Sequence, residues 1–94
     1  MADIGDALTL ANAKTALAIG TTRISAGEAR IDLSGLRAFD SSALAVLLAW
    51  RRTAESRRQT LSFSGVPAGL LSLARAYGVD TLLFTPDEQA SRPA

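Results

Sequence analysis

A run of eight apolar residues, Ala43 to Trp50, most constrains what this chain can fold into. The run lies in a stretch rich in Ala, Leu and Arg, which are strong helix formers. Asp40, Ser41 and Ser42 precede it and carry side chains that cap helices. A helix from Ser41 onward is therefore predicted. A helix lying on a sheet buries a stripe only a little wider than ~100°. A helix that is apolar on every side therefore has an apolar side that the sheet does not cover.

The two apolar sides of this helix predict an interface. At ~100° per residue, Leu44 and Leu47 fall on one side, whereas Val46 and Trp50 fall on another. Both sides cannot face one thin sheet, so we expect an apolar strip through Val46 and Trp50 to stay exposed and to bind a partner. The alternative is that Trp50 covers the edge of the sheet, because tryptophan is largely buried in most folds.

Strands and helices are predicted to alternate along the chain. Residues 29–33 and 59–66 alternate apolar and polar side chains, as half-buried strands do. A helix with one apolar face is predicted to follow Asn12, after a short strand within 2–10, although a strand pair over 7–24 stays open. This order favours an α/β fold with a small, mostly parallel sheet. Further predictions are a helix over 68–77, an edge strand or packed turn over 81–84, and a core of Leu33, Leu47, Phe63, Leu70, Leu73 and Ala74.

The composition argues for a binding module rather than an enzyme. The chain has no Cys and no His, which removes the thiolate nucleophile, the commonest general base and the commonest metal ligand. We therefore expect no catalytic residue, no metal and no cofactor. The formal net charge of +1 gives no electrostatic footprint for nucleic acid, so nucleic acid is not an expected partner.

The length and the ends of the chain set its expected organisation. Its 94 residues are enough for a single domain over 1–94, with an ordered part over 2–87 and a polar tail over 88–94. The longest apolar run is far shorter than the ~20 residues that span a bilayer, so no direct membrane insertion is expected. The first residues lack the basic region of a secretory signal, which favours a cytoplasmic location.

The stretch DLSGLRAFDSSALAVLLAW, followed by LSFSGVPAGLLSLARAYGVDTLL, resembles STAS domains. The resemblance covers residues 29–84 and implies a small mixed sheet with helices packed against it. Two branches of the family are similar to this chain. In anti-sigma-factor antagonists, a partner kinase phosphorylates the hydroxyl residue after the loop Asp, which corresponds to Ser41. In the small subunit of bacterial lipid-transport ABC systems, the same position contacts the ATPase subunit.

Two departures from the antagonist pattern favour the lipid-transport branch. Antagonists resemble D-S-[ST]-G at this step, whereas this chain has Ala43, and the N-terminus looks too short for their full strand pair. The resemblance therefore implies a non-catalytic subunit of the MlaB type, bound to the ATPase of a phospholipid-transport ABC complex and through it to the permease. The alternative is an antagonist switched by phosphorylation of Ser41, with an anti-sigma-factor kinase as partner. The expected partner-binding residues are Arg37, Asp40, Ser41, Ser42, Ala45, Val46, Ala49 and Trp50.

Overall fold

Short parallel strands and longer helices alternate in the computed structural model, which describes residues 2–3 and 5–90. The strands are β1 (Ala2–Asp3), β2 (Ala7–Leu8), β3 (Arg30–Asp32), β4 (Ala38–Phe39) and β5 (Ser62–Ser64). The helices are α1 (Ala13–Ser25), α2 (Ser41–Ser56), α3 (Ala68–Ala76), α4 (Asp80–Leu83) and α5 (Pro86–Ala90).

The sheet is small and its described pairings are all parallel. Three strands lie in the order β1-β3-β5, with Ile31 opposite Phe63, and β2 pairs separately with β4. Parallel neighbours require crossover connections, and α1 and α2 supply them between β1 and β3 and between β3 and β5. The predicted α/β fold with a mostly parallel sheet is confirmed.

The core agrees with the sequence prediction at five of the six named positions. Leu73 is the exception, because it is only half-buried on the side of α3 that packs against the core. The other five, which are buried, are Leu33, Leu47, Phe63, Leu70 and Ala74. Strands β3 and β5 and helices α2 and α3 therefore enclose one hydrophobic core.

Helix α1 covers the side of α2 that the sequence predicts to be exposed. Trp50 has no exposed surface, and Val46 is also buried. The Trp50 indole N–H donates a hydrogen bond to the Leu17 carbonyl at 3.2 Å, and its ring lies against Gly20, where a larger residue would overlap it. The prediction of an exposed strip through Val46 and Trp50 is thus wrong, because α1 supplies the second cover that an all-round apolar helix needs.

Two local predictions in the second half of the chain are also wrong. Residues 81–84 form neither an edge strand nor a turn, since α4 spans Asp80–Leu83. The sequence also predicts a polar tail from residue 88 onward, but Glu88 is in α5 and is only 7% exposed. Of the expected tail, residues 91–94 lie outside the described residues.

Glu88 is buried because it has strong partners. One carboxylate oxygen accepts from the Arg51 guanidinium at 2.7 Å and from the Thr85 amide at 2.8 Å, while the other accepts from the Phe63 amide at 2.7 Å. Arg51 also donates to the carbonyls of Leu61 and Leu83 and stacks over the Phe63 ring. A buried carboxylate is tolerated only when it is paired and hydrogen-bonded in this way. The pair fastens α5 to β5 and α2.

Helix α2 ends in a Schellman motif built on an arginine. The Gln59 amide donates to the Ala54 carbonyl at 2.9 Å, and the Arg58 amide donates to the Glu55 carbonyl at 3.0 Å. Arg58 has a φ of 55°, in the left-handed region that glycine occupies at this position in most helices. The side chain of Arg58 therefore adds a steric cost to the motif.

We expect Arg58→Gly to raise the free energy of unfolding by up to about 1 kcal/mol. Glycine removes the steric cost of the left-handed conformation. The greater conformational entropy of glycine in the unfolded chain offsets part of this gain. Urea unfolding measures the change. Arg57→Gly is the matched control, since Arg57 has an ordinary φ of −102° and glycine there should only destabilise. Equal losses in both variants would contradict the assignment of strain to Arg58.

Candidate functional site

The N-terminus of α2 leaves the Ser41 hydroxyl without a structural role. Asp40 is the N-cap, and its side chain accepts a hydrogen bond from the Ser42 amide at 2.9 Å. Its backbone carbonyl accepts from the Ala43 amide at 3.0 Å. Ser41 is exposed, and its hydroxyl has no hydrogen-bond partner within the described part of the chain. Because Asp40 does the capping, Ser41 can present its hydroxyl outward.

The second oxygen of Asp40 ties this helix end to the turn before α1. It accepts a hydrogen bond from the Leu10 amide at 3.1 Å. Asn12 is at the N-cap position of α1, but its side chain makes no capping hydrogen bond. Its side chain accepts from the Thr9 amide at 2.8 Å and donates to the Ala7 carbonyl at 2.8 Å, so it shapes the turn instead. The prediction of a helix after Asn12 is confirmed.

The amide bonds lower the pKa of Asp40. The Leu10 amide has the largest effect and Ser42 adds to it, while partial desolvation opposes them, and the net pKa lies below the usual 3.8. Hydrogen bonds from N–H donors favour the charged carboxylate. Since the pKa in the folded state is depressed, these bonds stabilise the fold above the unfolded pKa, and their contribution is lost as pH falls through the folded pKa.

We expect the Leu10 amide resonance to report this titration, because its N–H donates directly to the Asp40 carboxylate. An NMR titration should give a midpoint below 3.8 for this resonance. Asp40→Asn should abolish the transition. A midpoint at or above 3.8 in the wild type would show that the carboxylate does not hold this amide.

The carboxylate of Asp32 accepts hydrogen bonds within its own loop. Asp32 ends β3 and accepts hydrogen bonds from the Ser34 hydroxyl at 2.6 Å and from the Ser34 amide at 2.9 Å. The hydroxyl bond, followed by the amide bond, lowers the pKa of Asp32. Both bonds are local, so Asp32 shapes the loop after β3 and offers no proton acceptor for catalysis near neutral pH.

The predicted partner-binding residues divide into a surface group and a buried pair. The buried pair is Val46 and Trp50. The remaining six share the surface around the start of α2 and along its outer side: Arg37, Asp40, Ser41 and Ala45 are exposed, and Ser42 and Ala49 are half-buried. We refer to these six as the α2 surface. Arg37 is placed by its backbone, whose amide donates to the Asp6 carbonyl at 2.8 Å.

A shallow groove runs between α1 and α2 beside the α2 surface. Its volume is about 290 Å³, and it is lined by Ala13, Lys14, Leu17, Ser42, Ala45 and Val46. Leu10 lies just before it on the turn that Asp40 holds, and 79% of Leu10 is exposed. Leu10 and Lys14 belong to no apolar period and to no motif, so their residue types and spacing do not predict a site there. The hydrogen bond between Leu10 and Asp40 is what places this turn beside the α2 surface, and it is visible only in the fold.

Over residues 2–3 and 5–90, no cluster of three or more acidic, His or Cys side chains is arranged to hold a metal ion. None of the helices in these ranges combines the length and the apolar character that crossing a bilayer requires.

Comparison with protein families identifies the domain. A family model described as the MlaB STAS domain matches residues 3–85. Comparisons with curated proteins and with solved structures gave no significant match. The match spans most of the chain, so the protein belongs to the MlaB-type STAS family. The resemblance seen in the sequence and the STAS fold are both confirmed.

Proposed function

We propose that this MlaB-type STAS domain is a non-catalytic subunit that binds and regulates the ATPase subunit of a phospholipid-transport ABC complex. In this role it helps to maintain outer-membrane lipid asymmetry, acts in the cytoplasm and reaches the permease only through the ATPase. The observation that carries the proposal is the free Ser41 hydroxyl at the start of α2, in a domain that matches the MlaB family model.

The chemistry around Ser41 supports binding rather than catalysis. A serine nucleophile needs an adjacent base, and the sequence has no His. The nearest carboxylate, Asp40, already accepts two amide hydrogen bonds, which lower its pKa. It is therefore a poor general base near neutral pH. We expect the isolated chain neither to bind nor to hydrolyse ATP.

The shape of the α2 surface also supports close contact with a protein. Ser41, Ala45 and Ala49 are short side chains on the outer side of α2. Short side chains allow a partner to approach the helix backbone closely, and α2 packs against α1 beneath them. A partner that binds a regular helix has less backbone to order than one that binds a free loop, so the entropic cost of binding is lower.

One observation favours the alternative function, that of an anti-sigma-factor antagonist. A phosphate on Ser41 would lie at the positive end of the α2 dipole, where anions are stabilised. The two sequence arguments against this function are weaker in the structure. The Ala43 side chain is fully buried and leaves Ser41 open, and two short strands, β1 and β2, do form near the N-terminus. The MlaB family match is what favours the ATPase.

Reconstitution with the ATPase subunit encoded in the same organism tests the proposal. Size-exclusion chromatography with light scattering should show a stable complex, and ATP turnover of the ATPase should change when the chain is added. Arg75→Gln is a suitable control, because Arg75 is exposed on α3, outside the α2 surface. Absence of a complex, together with phosphorylation of Ser41 by an anti-sigma-factor kinase, would favour the alternative.

A further inference from the structure

Leu10 is the most exposed of the large hydrophobic residues in the described chain. Its exposed fraction is 79%, compared with 65% for Leu82 and 60% for Tyr77. A single exposed leucine is common on protein surfaces and needs no explanation by itself. Leu10 differs because its backbone is held in place next to the α2 surface.

Four hydrogen bonds fix the turn that carries Leu10. The Leu10 amide donates to Asp40 at 3.1 Å, and the Asn12 side chain bonds the Thr9 amide and the Ala7 carbonyl, each at 2.8 Å. The Asn12 amide also donates back to the Thr9 carbonyl at 3.1 Å. An apolar side chain on a backbone that is already ordered binds at a lower entropic cost than one on a free loop.

Charge and shape beside Leu10 indicate what kind of surface fits. The groove of about 290 Å³ between α1 and α2 has an apolar floor that includes Ala13 and Val46. Lys14 lines the same groove, is exposed and forms no ion pair with any described residue. It is also the only lysine of the chain. An unpaired cation beside an apolar groove is complementary to an apolar side chain with a carboxylate next to it.

We propose that the turn before α1 forms the second half of the partner interface. Leu10 inserts into an apolar pocket of the ATPase subunit, and an apolar side chain of that subunit fills the α1–α2 groove. A neighbouring carboxylate of the ATPase pairs with Lys14. This inference rests on the proposed function and adds the contact chemistry to it.

The affinity of each variant for the purified ATPase subunit, measured by calorimetry, tests this inference. Leu10→Ser should weaken binding by about tenfold or more, the effect of removing one anchor residue from an interface. Lys14→Gln should weaken it by a few fold and reduce the dependence of the affinity on salt. The matched control is Leu82→Ser, because Leu82 is also an exposed leucine. Leu82 lies on α4, and the carbonyl of Leu83 in that helix accepts a hydrogen bond from Arg51. Along α2, Arg51 lies about 15 Å from Ser41, at a rise of 1.5 Å per residue. Leu82 is therefore far from the α2 surface.

The outcomes separate this inference from the proposed function. If the wild type binds the ATPase and Leu10→Ser binds equally well, the inference is overturned while the proposed function stands. Equal weakening by Leu82→Ser would also overturn it, because the effect would not be specific to this turn. If the wild type itself does not bind, both fail. Unchanged thermal unfolding of each variant confirms that affinity, rather than folding, is being compared.

Discussion

We expect Ser41→Asp to release the ATPase subunit while the domain stays folded. An aspartate in the first turn of α2 interacts favourably with the helix dipole, and Asp40 remains the N-cap. At the interface the same carboxylate is buried without a partner, which costs several kcal/mol. The affinity should therefore fall by about 100-fold or more, while the thermal midpoint stays close to that of the wild type. Calorimetry and circular dichroism measure the two quantities.

Two variants control for the added charge and for the lost hydroxyl. Thr81→Asp puts the same charge on an exposed residue of α4, away from the α2 surface, and should bind normally. Ser41→Ala removes the hydroxyl without adding a charge, so it should weaken binding far less than Ser41→Asp does. If Ser41→Asp unfolds the domain, Ser41 is a structural residue. If it stays folded and binds normally, the partner does not contact the start of α2.

The contact between Trp50 and Gly20 should dominate the stability of the domain. Trp50→Ala removes a fully buried indole and should cost about 3–5 kcal/mol in the free energy of unfolding. Gly20→Ala adds a methyl group that overlaps the Trp50 ring, and overpacking of this kind costs about 1–3 kcal/mol or more. Urea unfolding monitored by circular dichroism measures both variants.

The sign of the Gly20→Ala effect decides between packing and helix propensity. In an exposed helix, alanine stabilises by about 1 kcal/mol relative to glycine. Thr15→Ala, at an exposed position of α1, is the control and should be neutral or slightly stabilising. A more stable Gly20→Ala variant would contradict the packing of α1 on Trp50.

Helix α2 could be predicted from the sequence because its signals are local. The cap residues and the apolar run lie next to each other, and Asp40 does cap the helix. The side that Trp50 faces could not be assigned, because it depends on α1, whose Gly20-Thr21-Thr22 segment is a weak helix signal. In the fold, Gly20 is needed to make room for Trp50. Gly20, a poor helix former, is therefore the residue that lets the two helices pack.

Only the part of the candidate site that is contiguous in sequence could be predicted from the sequence. Ser41 and Ala45 follow from the motif and the helix, and both are exposed. Leu10 is placed by a hydrogen bond to Asp40 across 30 residues, which no local pattern indicates. Glu88 is similar: its position in a polar stretch predicted a tail, but Arg51 pairs with it across 37 residues.

Recovery of the tagged full-length chain from its native cells tests the central proposal most directly. After mild lysis and purification, mass spectrometry should identify an ABC ATPase in stoichiometric amount together with its permease, and Ser41→Asp should lose both. Recovery of an anti-sigma-factor kinase without any ATPase, with phosphate on Ser41, would contradict the proposal.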